Sequence, residues 1–178
     1  KMLFKMTIEY ADGGRQTIVS DESWLAAESG VRYSSIYAGE WFDATYQGTP
    51  KPVVVTNPKW NVPMMRQSEG TMVKISREHY PICLKPNLYD MRQNCSGIVR
   101  IKVKGAKGTT ITLRPAEILK NGSISQKSLP GYEWKYILRG DADGETWQPQ
   151  FTYTGFRYVE VVADEGVQLL KLTGLHTT

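Results

Sequence analysis

The chain has 178 residues, of which 40% are hydrophobic and 22% charged, and a chain of that length buries roughly 70% of its unfolded surface without needing a disulfide or a metal. Two histidines and two cysteines cannot furnish the three or four His/Cys ligands of ordinary structural zinc. No apolar run nears the ~18 residues that span a membrane, and the net charge is +4.

Lys1-Met2-Leu3-Phe4-Lys5-Met6 turns polar too soon for a signal peptide and reads as a chain joined in mid-course. From Leu3 to Tyr10 polar and apolar residues alternate. Ala11-Asp12-Gly13-Gly14 then supplies the positive φ of a tight turn, and Gln16–Val19 completes a hairpin. Further strands are expected at Ser34–Tyr37, Glu40–Tyr46, Val53–Thr56, Met72–Ser76, Ile82–Leu84, Leu88–Met91, Ile98–Lys104 and Thr109–Arg114. Trp134–Leu138, Trp147–Tyr153, Phe156–Val162 and Val167–Leu172 continue the pattern. Only Trp24–Glu28 and Ala116–Leu119 look helical, each for one turn at most. Many strands, short Gly-rich connections and Thr/Val/Ile/Tyr enrichment predict an all-β fold, an antiparallel, jelly-roll-like β-sandwich. Gly48-Thr49-Pro50-Lys51-Pro52 and Asn57-Pro58 to Pro63 break the periodicity, which places a soft boundary near Asn61 and divides the chain into 1–61 and 62–178. The first piece has too few strands to stand alone, so its hairpin is expected to pack on the second.

Residues 1–62 carry six Lys/Arg against seven Asp/Glu, and the remainder sixteen against eleven. Arg100, Lys102 and Lys104 alternate with Ile101 and Val103, so they share one strand face. Such a face can bind phosphate or acidic sugars, and the plainer reading is a solvated outer surface. No aromatic RNA-binding motif or recognition helix accompanies it, so nucleic acid is not an expected partner. Cys83 and Cys95 read as two buried free thiols, which leaves the compartment undetermined.

Asp141-Ala142-Asp143-Gly144-Glu145 starts like a calcium loop but lacks its later ligands, so a hairpin turn is the expectation and no metal or cofactor is assigned. His79 precedes Tyr80-Pro81 and reads as a surface residue, and His176 lies near the end; neither sits in a nucleophile motif. No catalytic residue stands out. The aromatic stretch from Tyr33 to Tyr46 interleaves rings with carboxylates. Sugar sites combine a stacking ring with hydroxyl acceptors, which makes Glu40, Trp41 and Asp43 the carbohydrate-binding candidates. A core role for Ile36, Tyr37 and Trp41 is the competing account. In Phe151 to Val161, Gly155 allows a bend and Arg157 can stack on Tyr153.

Several of these strings together resemble the bacterial α-L-rhamnosidases of glycoside hydrolase family 78. Tyr33 to Ala44 is similar to the end of the family's accessory domain, Y-S-D-I-Y-x-G-E-x-Y-D-A-R. Leu88 to Gly97 resembles Y-D-F-G-Q-N-M-x-G, with Met91 and Arg92 in place of Phe and Gly. Lys104 to Glu117 resembles K-G-P-A-G-T-T-V-T-L-R-x-A-E. Tyr136 to Gly140 and Phe151 to Val161 resemble Y-I-L-K-G and F-T-Y-H-G-F-R-Y-V-E-V. The resemblance implies that 1–61 is the end of an accessory β-domain and 62–178 a concanavalin-like sandwich. It implies a non-catalytic region supporting a separate α/α-barrel, whose carboxylates would hydrolyse terminal L-rhamnose with inversion. The partners implied are that barrel and, in the alternative reading as a carbohydrate-binding module, rhamnose-containing glycans. Gln93, Asn94 and Glu117 are then candidates for docking the barrel. A periplasmic or secreted location is favoured over a cytoplasmic one.

Overall fold

The computed structural model describes residues 2–56 and 72–178, which form two compact units: residues 2–28 with 48–56, and residues 29–47 with 72–178. The expected boundary near Asn61 and the Asn57 to Pro63 segment lie outside the described residues. No helix occurs among the described residues.

In the smaller unit, β1 (Lys5–Glu9) and β2 (Arg15–Val19) form the expected antiparallel hairpin. Its turn closes with Tyr10 N–H donating to Gly14 O at 2.8 Å and Gly13 N–H to Tyr10 O at 3.0 Å. β3 (Leu25–Ala26) pairs antiparallel with β6 (Lys51–Pro52). The one-turn helix expected at Trp24–Glu28 is therefore extended chain. The Trp24 carbonyl accepts the amide of Val53 at 3.1 Å, across the pair rather than along a helix. Phe4 and Trp24 pack with ring centroids 5.4 Å apart.

The larger unit holds β4 (Val31–Ser35), β5 (Gly39–Asp43), β7 (Ile75–His79), β8 (Ile82–Lys85), β9 (Leu88–Lys104) and β10 (Thr110–Ala116). It continues with β11 (Ile118–Lys120), β12 (Ser123–Ser125), β13 (Glu133–Ile137), β14 (Glu145–Trp147), β15 (Thr154–Ala163) and β16 (Gln168–Thr177). β11 and β12 make a hairpin of their own where a helical turn was expected at Ala116–Leu119. The other strands join in one sheet in the order β4-β5-β13-β10-β15-β9-β16-β7, with β8 and β14 also on β9. β5 runs parallel to β13, and every other pair is antiparallel. Gly39 permits that parallel entry. Its φ is +95°, and a Cβ there would lie 1.9 Å from the Glu133 carbonyl oxygen.

Leu88–Met91 and Ile98–Lys104, expected as separate strands, are the two ends of the 17-residue β9. Its beginning lies between β8 and β15, and its end between β16 and β14. A strand that exchanges both neighbours partway turns the sheet back over itself. Val99, Ile101 and Val103 of β9, with Trp147 and Leu172, thereby meet Ile111, Leu113, Trp134, Tyr136, Phe156 and Val159 in one core. The fold is an antiparallel, jelly-roll-like β-sandwich. Arg100, Lys102 and Lys104 point away from this core, as their alternation predicts.

Asp90 fixes the bend in β9. It is buried, and its Oδ1 accepts the Arg92 amide at 2.7 Å. The Arg157 guanidinium grips both carboxylate oxygens at 2.9 Å. Arg157 lies at the register shift between Phe156 and Tyr158 of β15, so one fork ties the bulge of β15 to the bend of β9. Arg92 takes the left-handed conformation there, with φ +68°. This is the position at which the resembled motif has Gly. A left-handed side chain costs about 1–2 kcal/mol and a Gly costs about 0.5–1 kcal/mol in unfolded-chain entropy. Arg92→Gly is therefore expected to raise unfolding free energy by about 0.5–1 kcal/mol in a urea titration. An unchanged or lowered midpoint would show that the Arg92 side chain has stabilising contacts that outweigh the strain.

Candidate functional site

β5 divides the predicted sugar-binding residues between two faces. Its register with β13 sets Glu40 beside Trp134 and Phe42 beside Tyr136, both turned inward, while Trp41 and Asp43 turn outward. Glu40 is fully buried. Its carboxylate accepts the amide of Gln150 at 3.0 and 3.1 Å and that of Phe151 at 2.8 Å. It anchors the segment between β14 and β15. Asp43 accepts the amide and hydroxyl of Thr45 at 2.9 and 2.6 Å, a local turn that commits its Oδ1. Trp41 is 39% exposed, with the Tyr33 ring centroid 5.0 Å away and Lys135 Nζ 4.4 Å from its own. Tyr33 is exposed too, so a pair of rings stands on this outward surface, without the Glu40 carboxylate, and Tyr37 is exposed in the turn between β4 and β5.

Of the predicted docking residues, two meet. Asn94 Nδ2 donates to Glu117 Oε1 at 3.1 Å on the surface beside the β9 bend. Gly155 makes room for Glu117, since a Cβ there would sit 3.2 Å from the same oxygen. The bend predicted at Gly155 is absent, because β15 runs through it. Gln93 is exposed.

A second buried carboxylate organises the suspected calcium loop. Glu145 Oε2 accepts the Tyr136 hydroxyl at 2.6 Å and the Arg139 amide at 3.0 Å. Its Oε1 accepts the amides of Gly140 and Asp141 at 2.8 and 3.2 Å. Burial pushes the Glu145 carboxyl up, and these four hydrogen bonds outweigh it and hold the group below its ordinary range. The loop is thus a turn built on one carboxylate. Among the described residues no three His, Cys, Asp or Glu gather as metal ligands.

Other expectations are corrected. His79 is buried rather than superficial, because Gly174 pairs with it on β16 and its ring lies 6.0 Å from that of His176. Burial, with His176 and Arg77 nearby, pushes the imidazole down. Both cysteines are free, but Cys83 is exposed and only Cys95 is buried. Arg157 lies over Tyr158, 5.1 Å from its centroid, and not over Tyr153. The Asp90–Arg157 fork was not anticipated, since partners 67 residues apart leave no spacing signal.

Residues 84–177 match the bacterial alpha-L-rhamnosidase concanavalin-like domain, and residues 1–84 match the alpha-L-rhamnosidase N-terminal domain. The chain belongs to the bacterial α-L-rhamnosidase family. An α-L-rhamnosidase of Streptomyces avermitilis is 34% identical over 184 residues, covering 93% of this chain and 18% of that protein. The solved structure of an S. avermitilis α-L-rhamnosidase complexed with L-rhamnose superposes with a TM-score of 0.80 at 30% identity, over 98% of this chain and 19% of that one. The native α-L-rhamnosidase of Aspergillus terreus gives 0.78 at 26% identity, over 98% and 22%. The chain thus spans about a fifth of the length of its rhamnosidase relatives.

Three lowered pKa values act on stability in the same direction. His79, below its ordinary value of ~6.5, contributes stability above that pH and loses it as pH falls. Asp90, held down chiefly by Arg157, and Glu145 contribute above their ordinary values of ~4 and lose it further down. Urea midpoints measured from pH 8 to pH 3 are expected to decline in two stages, the first absent in His79→Gln. A wild-type midpoint that stays flat between pH 7 and 5.5 would contradict a neutral, buried His79.

Proposed function

We propose that the chain is a non-catalytic β-sandwich region of an α-L-rhamnosidase-like glycoside hydrolase. It supports an α/α-barrel carried elsewhere in a longer polypeptide, which removes terminal L-rhamnose from glycans or glycosides. The observation that carries this reading is the use made of the buried carboxylates. Glu40 and Glu145 accept only backbone amides and a tyrosine hydroxyl, and Asp90 is held by an amide and a guanidinium. General acid and base work in glycoside hydrolysis needs two carboxyl groups facing one cleft, one of them able to hold and release a proton. The relatives' length supports the same division of labour. The Asn94–Glu117 pair, exposed beside the rigid β9 bend, is the proposed contact for the catalytic part. A pure preparation is expected to release no nitrophenol from an aryl α-L-rhamnoside, and measurable turnover would overturn this reading.

The exposed rings around Trp41 favour a second reading, sugar binding. Stacking on a ring needs exposed aromatic surface, and the partly exposed Trp41–Tyr33 pair supplies it. Calorimetric titration with L-rhamnose and rhamnose-containing glycans is expected to show heat that vanishes in Trp41→Ala with the fold intact. No heat at millimolar sugar would leave only the supporting role.

A further inference from the structure

The outward face of β14, β9, β16 and β7 carries an imbalance of charge. Arg100, Lys102 and Lys104 of β9 stand on it with Lys171 of β16, and their ladder neighbours on the same face include Thr146, Gln168 and Thr173. Glu78 is the carboxylate that β7 adds. It is already committed: its Oε1 accepts from Arg100 Nη1 at 3.0 Å, and its Oε2 accepts the Tyr80 hydroxyl at 3.1 Å. Lys102 and Lys171 are direct cross-strand partners, and both are exposed. Like charges directly opposite in a ladder destabilise it, so this pairing lowers the stability of the fold that contains it. The face also has rings. Tyr80 is 62% exposed, with Lys171 Nζ 5.5 Å from its centroid.

The basic face runs into a groove. Arg100 Nε donates to Gln148 Oε1 at 2.8 Å, and Gln148 lines an open cavity of about 510 Å³ together with Ile98, two residues before Arg100. Phe151 and Tyr153 form its rim and remain 65% and 57% exposed. The backbone that carries both rings is anchored, because Glu40 accepts the Phe151 amide and the hydroxyl of the buried Thr152 between them lies 2.5 Å from that of Tyr132. Lys74 also lines the cavity and adds a further cation. The site therefore offers two exposed aromatic rings on anchored backbone, in a groove that continues onto Lys102 and Lys104, positions that recur about every 7 Å along the strand.

We propose that this groove and basic face bind an acidic polysaccharide, with Phe151 and Tyr153 stacking on sugar rings and Lys102, Lys104 and Lys171 neutralising carboxylate or sulfate groups. Lysine suits this task as a point charge that needs no fixed partner geometry. Aromatic rings beside cations also suit single-stranded nucleic acid, and membership of a glycosidase family is what singles out glycans. The proposal depends on that membership alone and not on the supporting role, so it stands or falls separately from it.

The test is affinity electrophoresis of the chain in gels cast with polygalacturonate, dextran sulfate or neutral dextran, with a parallel titration of oligodeoxythymidine. Retardation by polygalacturonate alone assigns the site to carboxylates, by dextran sulfate alone to sulfate esters, and by both to either anion. Each supports the proposal if neutral dextran has no effect. Lys102→Gln with Lys171→Gln is expected to weaken retention by about tenfold and to lower the slope of log affinity against log salt by about two. The same charge change at Lys107 and Lys120 is expected to leave retention unaltered. Phe151→Ala with Tyr153→Ala is expected to weaken retention without changing the salt slope. Lys171→Gln is also expected to raise the thermal midpoint, because it relieves the opposed pair; a raised midpoint with undiminished retention would count against the site. No retardation, equal retardation by neutral dextran, equal loss in the Lys107/Lys120 control or tighter binding of oligodeoxythymidine would overturn the proposal.

Discussion

The carboxylate of Asp90 sits where two long strands change register together. It takes the Arg92 amide on its own strand and two guanidinium nitrogens of Arg157 across the ladder, so the bend of β9 and the bulge of β15 are tied together. Every strand of the second layer depends on that angle. β14 and β16 flank the far end of β9, and β7 hangs on β16. Were β9 straight, the inward faces of β10 and β13 would have no opposing layer to bury Trp134 and Tyr136. The arrangement is strong because a forked, charge-assisted contact fixes direction as well as distance.

Asp90 has two counterparts. Glu40 and Glu145 are also buried carboxylates that gather amides from irregular chain, one on the segment after β14 and the other on the segment before it. Buried loops are costly because their amides lack ladder partners, and a carboxylate has lone pairs enough to serve several at once. β14 is thus bracketed by two anchored loops. A short strand of three residues needs such help to keep its place, and the groove beside Phe151 inherits the rigidity.

Much of the architecture was legible in the sequence because each strand buries one face. Val99, Ile101 and Val103 against Arg100, Lys102 and Lys104 is a pattern that can be read residue by residue. β9 looked like two strands because Arg92, Gln93 and Asn94 are exposed at the bend, where alternation has no core to answer to. The strand expected at Thr109–Arg114 runs on through Pro115 to Ala116 in β10, which its missing amide allows because pairing with β13 has already stopped at Leu113. His79 looked superficial because its local context is a turn, and only β16, about a hundred residues later, covers it. Ring and carboxylate content around Trp41 was visible. Which of them share a face was not, because it depends on the parallel register with β13.

The bond from Glu40 to the Gln150 amide joins residues 110 positions apart. A ribosome adding about 5–20 residues per second needs on the order of 5–20 s to cover that gap. Through most of that interval the β4-β5 ribbon has neither its parallel neighbour nor its buried anchor, and Phe42 has no Tyr136 to stack on. Closure of such a non-local parallel pair is slow even once the whole chain is available. The ribbon is therefore open to capture by chaperones or by another nascent copy during that wait, and the order of synthesis rather than the final energy sets that hazard.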